Sequence, residues 1–313
     1  MKKDFEKQVR AVRMQFLDQV EPWRRDLYRY CRGLTGSVWD AEDLVQESLL
    51  RAFAKLSELH WDVENPRAWL FLVATNVWRD RVRRSEPDSL PESWDEAAPE
   101  EPVRAEVREA LLELARALPP QERAALLMKD VFDLSLEETA RALETSVGAV
   151  KAALHRGRRR LDSRAPGERA EARASNRVPG VWRVSDAVLD RFVELFNARD
   201  LGGLAALFRA DATAHVVGMV EEHGPEQIVK GSLGHTIGEA GEVRAERRLY
   251  RGEPVVVLWY QKESRRVEDV LRFVEREGQL AWFGYYYFCP EVLEDVAGEL
   301  EVPFGTNGYR YHS

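Results

Sequence analysis

Carboxylates crowd one side of a short helical stretch, and they are the first residues whose types and spacing could do chemistry. In "DAEDLVQESLLRAF" (residues 40–53), Asp43, Glu47 and Arg51 follow one another at four-residue steps, with Gln46 beside them. Such steps place side chains on one helical face. Carboxylates in this arrangement could bind a metal, but no histidine or second acidic helix supports that use. A solvated face is the commoner reading, and a docking face for a basic partner is the alternative.

A basic and aromatic segment, "RAWLFLVATNVWRDRVRR" (67–84), follows closely. Asn76, Arg79 and Arg83 lie on one face at steps of three and four, and Arg84 adds charge near the end. Exposed aromatic side chains beside Arg and Asn would suit stacking on unpaired bases, which contributes about 1–3 kcal/mol per base. Core packing explains most of the tryptophans, so this segment alone favours nucleic-acid binding only weakly.

The stretch "LSLEETARALETSVGAVKAALHRGRRRL" (134–161) carries the most specific pattern. Ser135 and Glu138 form a capping box at the start of a short helix, and Ser146 opens a longer one after a tight turn. This is a helix-turn-helix, whose second helix enters the major groove. The residues presented outward are Ser146, Gly148, Lys151, His155 and Arg156. The residues expected at phosphates are Arg158, Arg159 and Arg160.

Helical periodicity positions these side chains. The first acidic helix has Asp40 as its expected N-cap, and the basic helix has Asn65 as N-cap with Pro66 at its first position. The stripes expected to face a core are Ala41, Leu44, Val45, Leu49, Ala52 and Phe53 in one helix and Leu70, Val73, Ala74 and Val77 in the other. A pair of protein-binding helices remains the alternative to DNA binding for the helix-turn-helix.

Composition divides the chain into three folded segments. Residues 5–84 read as helical within a first domain of residues 1–84, and residues 103–163 are helical again. Residues 85–102, with seven acids, four prolines and no Lys or Arg, form a linker. Residues 164–183 form a second linker. Residues 184–313 begin with a helix and continue with the β-rich runs "EVRAERRLY", "EPVVVLWYQK", "RVEDVLRFV" and "LAWFGYYYF". The fold class is therefore two all-α domains followed by an α+β domain with a curved sheet.

Composition also narrows the function classes. The chain has 313 residues, 44% hydrophobic and 32% charged, and a formal charge of −8, which argues against a protein that coats DNA indiscriminately. The N-terminus lacks the apolar run of a secretory signal, and no apolar segment has membrane length. Cys31 and Cys289 stand far apart, so reduced thiols in a cytoplasmic protein are the simplest account. We expect no metal, cofactor or membrane contact.

Three motifs in this order resemble the extracytoplasmic-function sigma factors of bacterial RNA polymerase. They are "WDAEDLVQESLLRAFAKL", "NPRAWLFLVATNVWRDRVRR" and "LPPQERAALLMKDVFDLSLEETARALETSVGAVKAALHRGRRRL", and they cover about the first half of the chain. The resemblance implies that the acidic helix grips the coiled coil of the polymerase β′ subunit, while the helix-turn-helix domain contacts the β flap. The implied β′-binding residues are Asp43, Gln46, Glu47 and Arg51.

The resemblance also assigns the nucleic-acid contacts. The basic helix would melt and read the minus-ten promoter element, with Asn76 at a pocket for a flipped base and 57–65 as the specificity loop. The implied minus-ten residues are Trp69, Asn76, Arg79, Arg83 and Arg84. The helix-turn-helix would read the minus-thirty-five element, and the acidic linker would thread polymerase near the RNA path. Such a protein directs polymerase to promoters and performs no chemistry itself.

The last segment resembles the SnoaL-like or nuclear-transport-factor-2-like fold in "FNARDLGGLAALF" and in the order of its elements. A cone of this kind usually encloses an apolar pocket. Its expected lining residues are His215, Tyr260, Trp282, Tyr285 and Tyr287. Some relatives of the fold are enzymes, but His215 has no obvious acidic base beside it. By resemblance, we expect the domain to dock on the two sigma domains and to regulate them.

Two rival functions remain open. One is an ordinary helix-turn-helix regulator with a ligand-sensing domain, which would bind duplex DNA without polymerase and would leave the acidic helix unexplained. The other is an enzyme of the cone fold with a DNA-binding appendage, which would need a catalytic acid–base pair. The end of the chain, "VPFGTNGYRYHS", is either a docking strip or a frayed terminus.

Overall fold

The chain divides into two compact units, Met1–Arg177 and Val178–Ser313. The computed structural model describes residues 2–56, 63, 65–85, 115–162, 184–239, 243–261, 265–306 and 308–309. The expected linker 164–183 lies outside the described residues, as does 85–102 except for Ser85, which ends a helix. Most of the expected loop 57–65 lies outside them as well.

The first unit is helical, as predicted. Its helices are α1 (Lys2–Thr35), α2 (Val38–Leu56), α3 (Pro66–Ser85), α4 (Pro120–Leu126), α5 (Leu136–Ala142) and α6 (Val147–Asp162). A short 3₁₀ turn at Ala115–Ala117 precedes α4, and α4 continues into one π-helical turn at Leu127–Val131. Both helical segments of the sequence therefore belong to one compact unit.

Capping side chains set the starts of the helices. Asn65 accepts a hydrogen bond from the Ala68 backbone N–H at the start of α3, and Ser135 forms the predicted capping box with Glu138. The prediction that Asp40 caps α2 is wrong. The helix begins two residues earlier, and the Ser37 hydroxyl accepts the backbone N–H of Asp40 at 3.3 Å.

The predicted apolar stripes form the core of this unit. The residues of α3 that were expected to face the core, Leu70, Val73, Ala74 and Val77, are all buried. Tyr30 of α1 stacks on Phe71 of α3 with ring centroids 4.6 Å apart, and Phe132 meets Phe71 edge-on at 5.0 Å. Since Phe132 follows the π-helical turn, the core continues from the first helical segment into the second.

The second unit is an α+β domain, as predicted. Its elements are α7 (Asp186–Ala198), α8 (Leu201–Leu207), β1 (Phe208–Val216), β2 (Val220–His223), α9 (Gly224–Lys230), α10 (Ser232–Glu239), β3 (Val243–Tyr250), β4 (Glu253–Gln261), β5 (Arg265–Arg276), β6 (Gln279–Tyr285) and α11 (Pro290–Glu299). The strand order is β2-β1-β6-β5-β4-β3, and only the β1–β6 pair is parallel. Ser185 caps α7 as expected.

Two tight hairpins join β3 to β4 and β5 to β6. Each has two successive residues with positive φ, Arg251 and Gly252 in the first and Glu277 and Gly278 in the second. Positive φ at both positions is typical of the type I′ turn, whose twist matches that of the strands. The predicted turns "RGEP" and "EREGQ" therefore set the register of β3 against β4 and of β5 against β6.

The two faces of the sheet are covered by different elements. On one face, side chains of α7 to α10 pack on the sheet in a core that includes Phe192, Phe196, Phe273 and Phe283. On the other face, α11 packs on β5 with several of its side chains buried. The chain then forms a β-bridge between Phe304 and Val267. The terminus is therefore tied to its own domain at this point.

The edge strand β3 has an unusual neighbour. The side-chain amide of Asn197, near the end of α7, donates to the carbonyl of Ala245 and accepts from its N–H, both at 2.9 Å. Side chains of Arg244, Arg247 and Arg248 flank this position on the same strand. One amide side chain thus satisfies a donor and an acceptor that the edge of the sheet would otherwise leave open.

Candidate functional site

The acidic face of α2 is joined to α3 by ion pairs. Glu47 contacts Arg51 of its own helix and Arg81 of α3, each at 2.7 Å, and Arg51 also reaches Asp80 at 3.2 Å. Partial burial acts to raise the pKa of Glu47, but the hydrogen bond and charge of Arg81, with Arg51, lower it on balance. Asp43 is exposed beside them. The four predicted polymerase-binding residues therefore lie together, and each of them also has contacts within the unit.

A buried ion pair lies beneath this face and was not predicted. Glu42 is completely buried, and its Oε1 accepts hydrogen bonds from Arg24 and Gln46, both at 2.6 Å. The sequence did contain a signal, because Glu42 falls between Val38 and Val45 on the apolar stripe. A buried carboxylate needs a cation, which Arg24 supplies here. The same carboxylate oxygen also accepts from Gln46 and so orients its side chain.

On α3, the predicted minus-ten residues differ in their surroundings. Asn76 Nδ2 lies 3.4 Å and Arg79 NH1 lies 3.7 Å from the carboxylate of Glu144, in the turn between α5 and α6. Trp69 is half-buried. Arg83 and Arg84 are exposed and bind the carboxylate and carbonyl of Asp80, respectively. The set shares one helix, but only part of it is open to solvent.

On α6, the predicted base-reading residues form a partly exposed surface. Ser146 is exposed, although its hydroxyl already accepts the N–H of Ala149 as an N-cap. Gly148 is exposed, and Lys151 and His155 are half-buried. The N-terminal half of the helix is thus accessible, as a helix that enters a groove requires.

The arginines at the end of α6 have mostly intramolecular partners. Arg158 binds Asp130 with two hydrogen bonds, of 3.0 and 2.6 Å, and Arg156 binds Glu122 at 3.2 Å. Arg160 also approaches Glu122, at 3.6 Å. Arg159 is exposed, and within the described part of the chain it has no ion pair. The expectation that these arginines bind phosphates stays a prediction, with Arg159 the most accessible.

In the second unit, the sheet separates the five residues expected to line a pocket. Tyr260, Tyr285 and Tyr287 belong to or pack against the core on the helical face. Trp282 alternates with Tyr285 along β6, so it points to the other face, where it meets His215 edge-on at 5.5 Å. These two side chains therefore do not share the interior with the three tyrosines.

Two buried polar groups in this interior were not predicted. Asp269 is 1% exposed and accepts the N–H of Tyr286 at 2.9 Å, and burial raises the pKa of its carboxyl well above the ordinary value. The Tyr285 hydroxyl is buried beside the hydroxyls of Ser232 and Thr236; burial raises its pKa well above the ordinary value, and hydrogen bonding with these two hydroxyls acts to lower it. The hydroxyls of Ser232 and Thr236 themselves donate to Glu222 and to the Ser232 carbonyl. A buried carboxyl and a phenol can position a bound group by hydrogen bonding.

Within the described ranges, no three or more His, Cys, Asp or Glu side chains are grouped as metal ligands. None of the described helices is both long enough and apolar enough to cross a bilayer.

Comparison with known families identifies both helical modules. The family described as "Sigma-70 region 2" matches residues 19–87, and "Sigma-70, region 4" matches residues 108–161. The first match spans α2 and α3, and the second spans α4 to the end of α6. Family signatures therefore coincide with the acidic and basic helices and with the helix-turn-helix.

Individual proteins agree with these family matches. The chain is 35% identical over 227 residues to the ECF RNA polymerase sigma factor SigG of Mycobacterium tuberculosis, which covers 63% of this chain and about 60% of the length of SigG. It is 32% identical over 170 residues to the RNA polymerase sigma-E factor of Streptomyces coelicolor, covering 52% of this chain and 93% of that protein. Among solved structures, the ECF sigma factor SigJ of M. tuberculosis aligns over 86% of this chain and 95% of its own, with 20% identity and a TM-score of 0.32.

Proposed function

Because the chain belongs to the extracytoplasmic-function sigma factors, we propose that it binds core RNA polymerase and directs it to specific promoters. This proposal is carried by one observation: the two family matches cover the two segments that form charged surfaces of the first unit. One surface is the acidic face of α2, and the other is the basic helix-turn-helix. The protein itself performs no chemical step and works where polymerase is, in the cytoplasm.

The test is run-off transcription with purified core polymerase on a library of genomic fragments. We expect discrete transcripts that require this protein, because a sigma factor supplies promoter recognition that the core lacks. Reactions without the protein and reactions with an ordinary helix-turn-helix repressor are the controls. The proposal fails if no fragment gives a dependent transcript with either the full chain or residues 1–177.

The polymerase contacts are proposed for the acidic face of α2, on the coiled coil of β′. Asp43, Gln46, Glu47 and Arg51 form this face, and its carboxylates suit a basic partner. Asp43→Arg is the cleanest probe, because Asp43 is exposed whereas Glu47 also links α2 to α3. Core binding should weaken by at least ten-fold, while the matched reversal of the exposed Asp18 on α1 should leave it unchanged.

Charge reversal at Glu47 completes this test. Glu47→Arg should reduce core binding as well, and unchanged binding in both variants would refute the interface. The β flap is the proposed second contact on polymerase, made by the helix-turn-helix module. A flap-deleted polymerase should then lose transcription from promoters that depend on the minus-thirty-five element.

Promoter contacts are proposed on two helices. The N-terminal half of α6, with Ser146, Gly148 and Lys151, would reach base edges of the minus-thirty-five element in the major groove. On α3, Asn76 and Arg79 would contact the minus-ten element, with stacking by an aromatic side chain such as Trp69. Lys151→Ala should relax sequence preference upstream, whereas Asn76→Ala should impair promoter opening without altering binding to upstream duplex.

The fused α+β domain is proposed to regulate the sigma modules by docking on them. Removal of residues 178–313, which form a unit of their own, should change the amount of transcript several-fold in one direction. The matched control adds the separate domain back to residues 1–177 at high concentration. Identical activity of the full and shortened chains would refute regulation and leave the sigma function intact.

A ligand-sensing transcriptional regulator is the second candidate function. The buried Asp269 carboxyl and the Tyr285 hydroxyl near it favour it, because a few polar groups in an apolar interior can orient a bound ligand. This candidate predicts sequence-specific binding to duplex DNA in the absence of polymerase. Electrophoretic shift of promoter duplexes with and without core polymerase separates it from the sigma function.

A further inference from the structure

A cleft in the first unit lies between α3 and the helices α4 and α5. Its volume is about 480 Å³, open solvent included, and sites for small molecules span roughly 300–1,000 Å³. The apolar side chains that line it are Trp78, Val82, Pro120, Ala124 and Leu143. The proposed contacts with polymerase and promoter make no use of this apolar floor.

The walls of the cleft are held in place by packing. Trp78 is 6% exposed, and the guanidinium of Arg123 lies over its ring, 5.6 Å from the centroid. Arg123 in turn donates to the carbonyls of Leu34 and Leu118. On the α4 side, Ala124 is buried. An apolar ligand would therefore meet a surface that is already formed, so little side-chain entropy would be lost on binding.

Two arginines and an amide form the rim of the cleft. Arg79 and Arg83 lie four residues apart on α3, and Gln121 lies on α4. Arg83 donates to Asp80 at 2.6 Å, and Arg79 lies 3.7 Å from the exposed carboxylate of Glu144. A guanidinium has five N–H donors, so one carboxylate beside each arginine leaves donors for a further anion. The rim thus places two cations above an apolar floor.

The charge behind the floor also favours an anion. Burial lowers the pKa of Arg123 to about 10, because its cation is largely removed from water. The guanidinium still carries its charge at neutral pH. A cation in poorly solvated surroundings is stabilised by a nearby anion and destabilised by another cation. A ligand against Trp78 is therefore expected to be acidic and not basic.

We propose that this cleft binds an amphiphilic anion, with its apolar chain against Trp78 and Val82 and its carboxylate on Arg79 and Arg83. A medium-chain fatty acid has this chemistry. Carboxylate and guanidinium form strong charge-assisted hydrogen bonds, while the chain removes apolar surface from water. The site does not depend on the proposed function, because the free chain forms it.

Occupation of the cleft has one consequence that does rest on the proposed function. Arg79 and Arg83 are among the residues proposed to contact the minus-ten element. A carboxylate bound to them would compete with DNA, and transcription directed by this chain would fall as the site fills. The first unit would then respond to an acidic amphiphile through its own surface, without the α+β domain.

The first test is isothermal titration calorimetry of the full chain with decanoate and with decanol, which has the same chain length without the charge. We expect decanoate to bind more tightly than decanol. Arg83→Gln should weaken decanoate about two- to five-fold, as loss of one exposed ion pair implies, and should leave decanol unchanged. Arg84→Gln is the matched control, because Arg84 is the next exposed arginine of α3 and lies outside the cleft lining. Equal effects of the two substitutions on decanoate would contradict the proposed carboxylate contact.

Blocking variants locate the chain of the ligand. Val82→Trp fills the cleft from α3, and Gln121→Phe fills it from α4, so one substitution that fails to fold does not leave the question open. A thermal melt identifies the folded variants, and these should bind both ligands at least ten-fold more weakly. Undiminished binding by a folded variant would place the ligand elsewhere and overturn the proposal, as would the absence of decanoate binding below about 1 mM. If the variants instead abolish self-association of the chain, a second copy fills the cleft and the proposal is likewise overturned.

Run-off transcription with added decanoate separates the binding site from its consequence. Transcripts that depend on the unchanged chain should decrease with decanoate, and those that depend on a folded Val82→Trp chain should not. If decanoate binds in the cleft and transcription does not respond, the site stands and competition with DNA is refuted. If no fragment gives a transcript at all, the sigma function is refuted while the calorimetry still decides the site.

Discussion

The two helices proposed to read DNA, α3 and α6, both carry charged groups in ion pairs, but their partners lie in different places. Arg156 and Arg158 of α6 bind Glu122 and Asp130 within their own module. Arg79 of α3 binds a carboxylate from the other module. The first kind of pair is internal to the helix-turn-helix module, whereas the second kind joins α3 to that module.

Burial separates the two kinds further. The side chains of Glu122 and Asp130 are 6% and 5% exposed, whereas that of Glu144 is 63% exposed. A buried carboxylate without its cation is costly, so the internal pairs are hard to break. An exposed pair exchanges readily with water. The difference teaches that the same residue types form buried supports within one module and an exposed contact between the two modules.

Phe132→Ala should have the largest effect, because it removes a buried ring that packs on Tyr30 and Phe71 and so joins the two helical modules. Truncation of a buried Phe costs about 3–5 kcal/mol. We expect the first unit to lose that much stability in urea unfolding, and the two modules to unfold in separate transitions. Leu50→Ala, at an exposed position of α2, is the control and should change little. A single transition with unchanged midpoint would show that the modules do not depend on this ring.

Asp130→Asn tests the internal pairs of α6. Arg158 would keep a neutral partner in place of a buried charge, and about 1–3 kcal/mol of stability should be lost. Glu137→Gln, an exposed acid on α5, should change stability by less than about 0.5 kcal/mol. If Asp130→Asn instead tightens binding to duplex DNA and leaves the free energy of unfolding unchanged, Arg158 binds phosphate. Its ion pair with Asp130 would then not be a structural support.

Glu47→Gln examines the pairs that hold α3 within its own module. The folded-state pKa of Glu47 lies below its ordinary value, so its stabilising effect is present above about pH 4.5. It is lost as pH falls through the lowered pKa. We expect the variant to be less stable at pH 7 by at most about 1 kcal/mol and to show a shallower loss between pH 5 and 3. If the free energy of unfolding of both proteins changes with pH in parallel, the stabilising role given to Glu47 is contradicted.

Arg159→Ala should leave stability unchanged and alter only the response to salt. Its side chain is exposed, so the expected partner is a phosphate of the minus-thirty-five duplex. Loss of one phosphate contact reduces the slope of log K against log salt by about 0.9. Arg160→Ala is the matched comparison, because Arg160 already approaches Glu122. If both variants have the same slope of log K against log salt, Arg159 does not contact a DNA phosphate.

The repeating patterns of the sequence predicted the helices that carry the candidate sites, the strands β3 to β6 and the turns between them, but not β2 or α9 to α11. Periodicity specifies which side of a helix is buried, and the capping box at Ser135 and the cap at Asn65 are local in the chain. The start of α2 was misplaced, because Asp40 and Ser37 are both good caps and the glycine turn before Ser37 decides between them. Local signals therefore predicted the start of a helix correctly where only one residue could serve as its N-cap.

Contacts between distant segments were beyond sequence reasoning. The partners of Asn76 and Arg79 come from a turn almost 70 residues later, and nothing in either segment specifies that pairing. The separation of His215 and Trp282 from the three tyrosines depends on strand register, which the pairing of β1 with β6 decides. Glu42 could have been found, since a carboxylate on an apolar stripe calls for a buried cation.

The amide of Asn197 has a consequence for how the second unit behaves among other copies of itself. A sheet with an open border invites a strand from a neighbouring molecule, which is the first step toward aggregates. Here one border ends in the four-residue strand β2, and the other carries three arginines and the amide that occupies the backbone of Ala245. An incoming strand would have to displace that amide and desolvate the arginines. The Asn197 amide thus makes this border a poor template for an added strand.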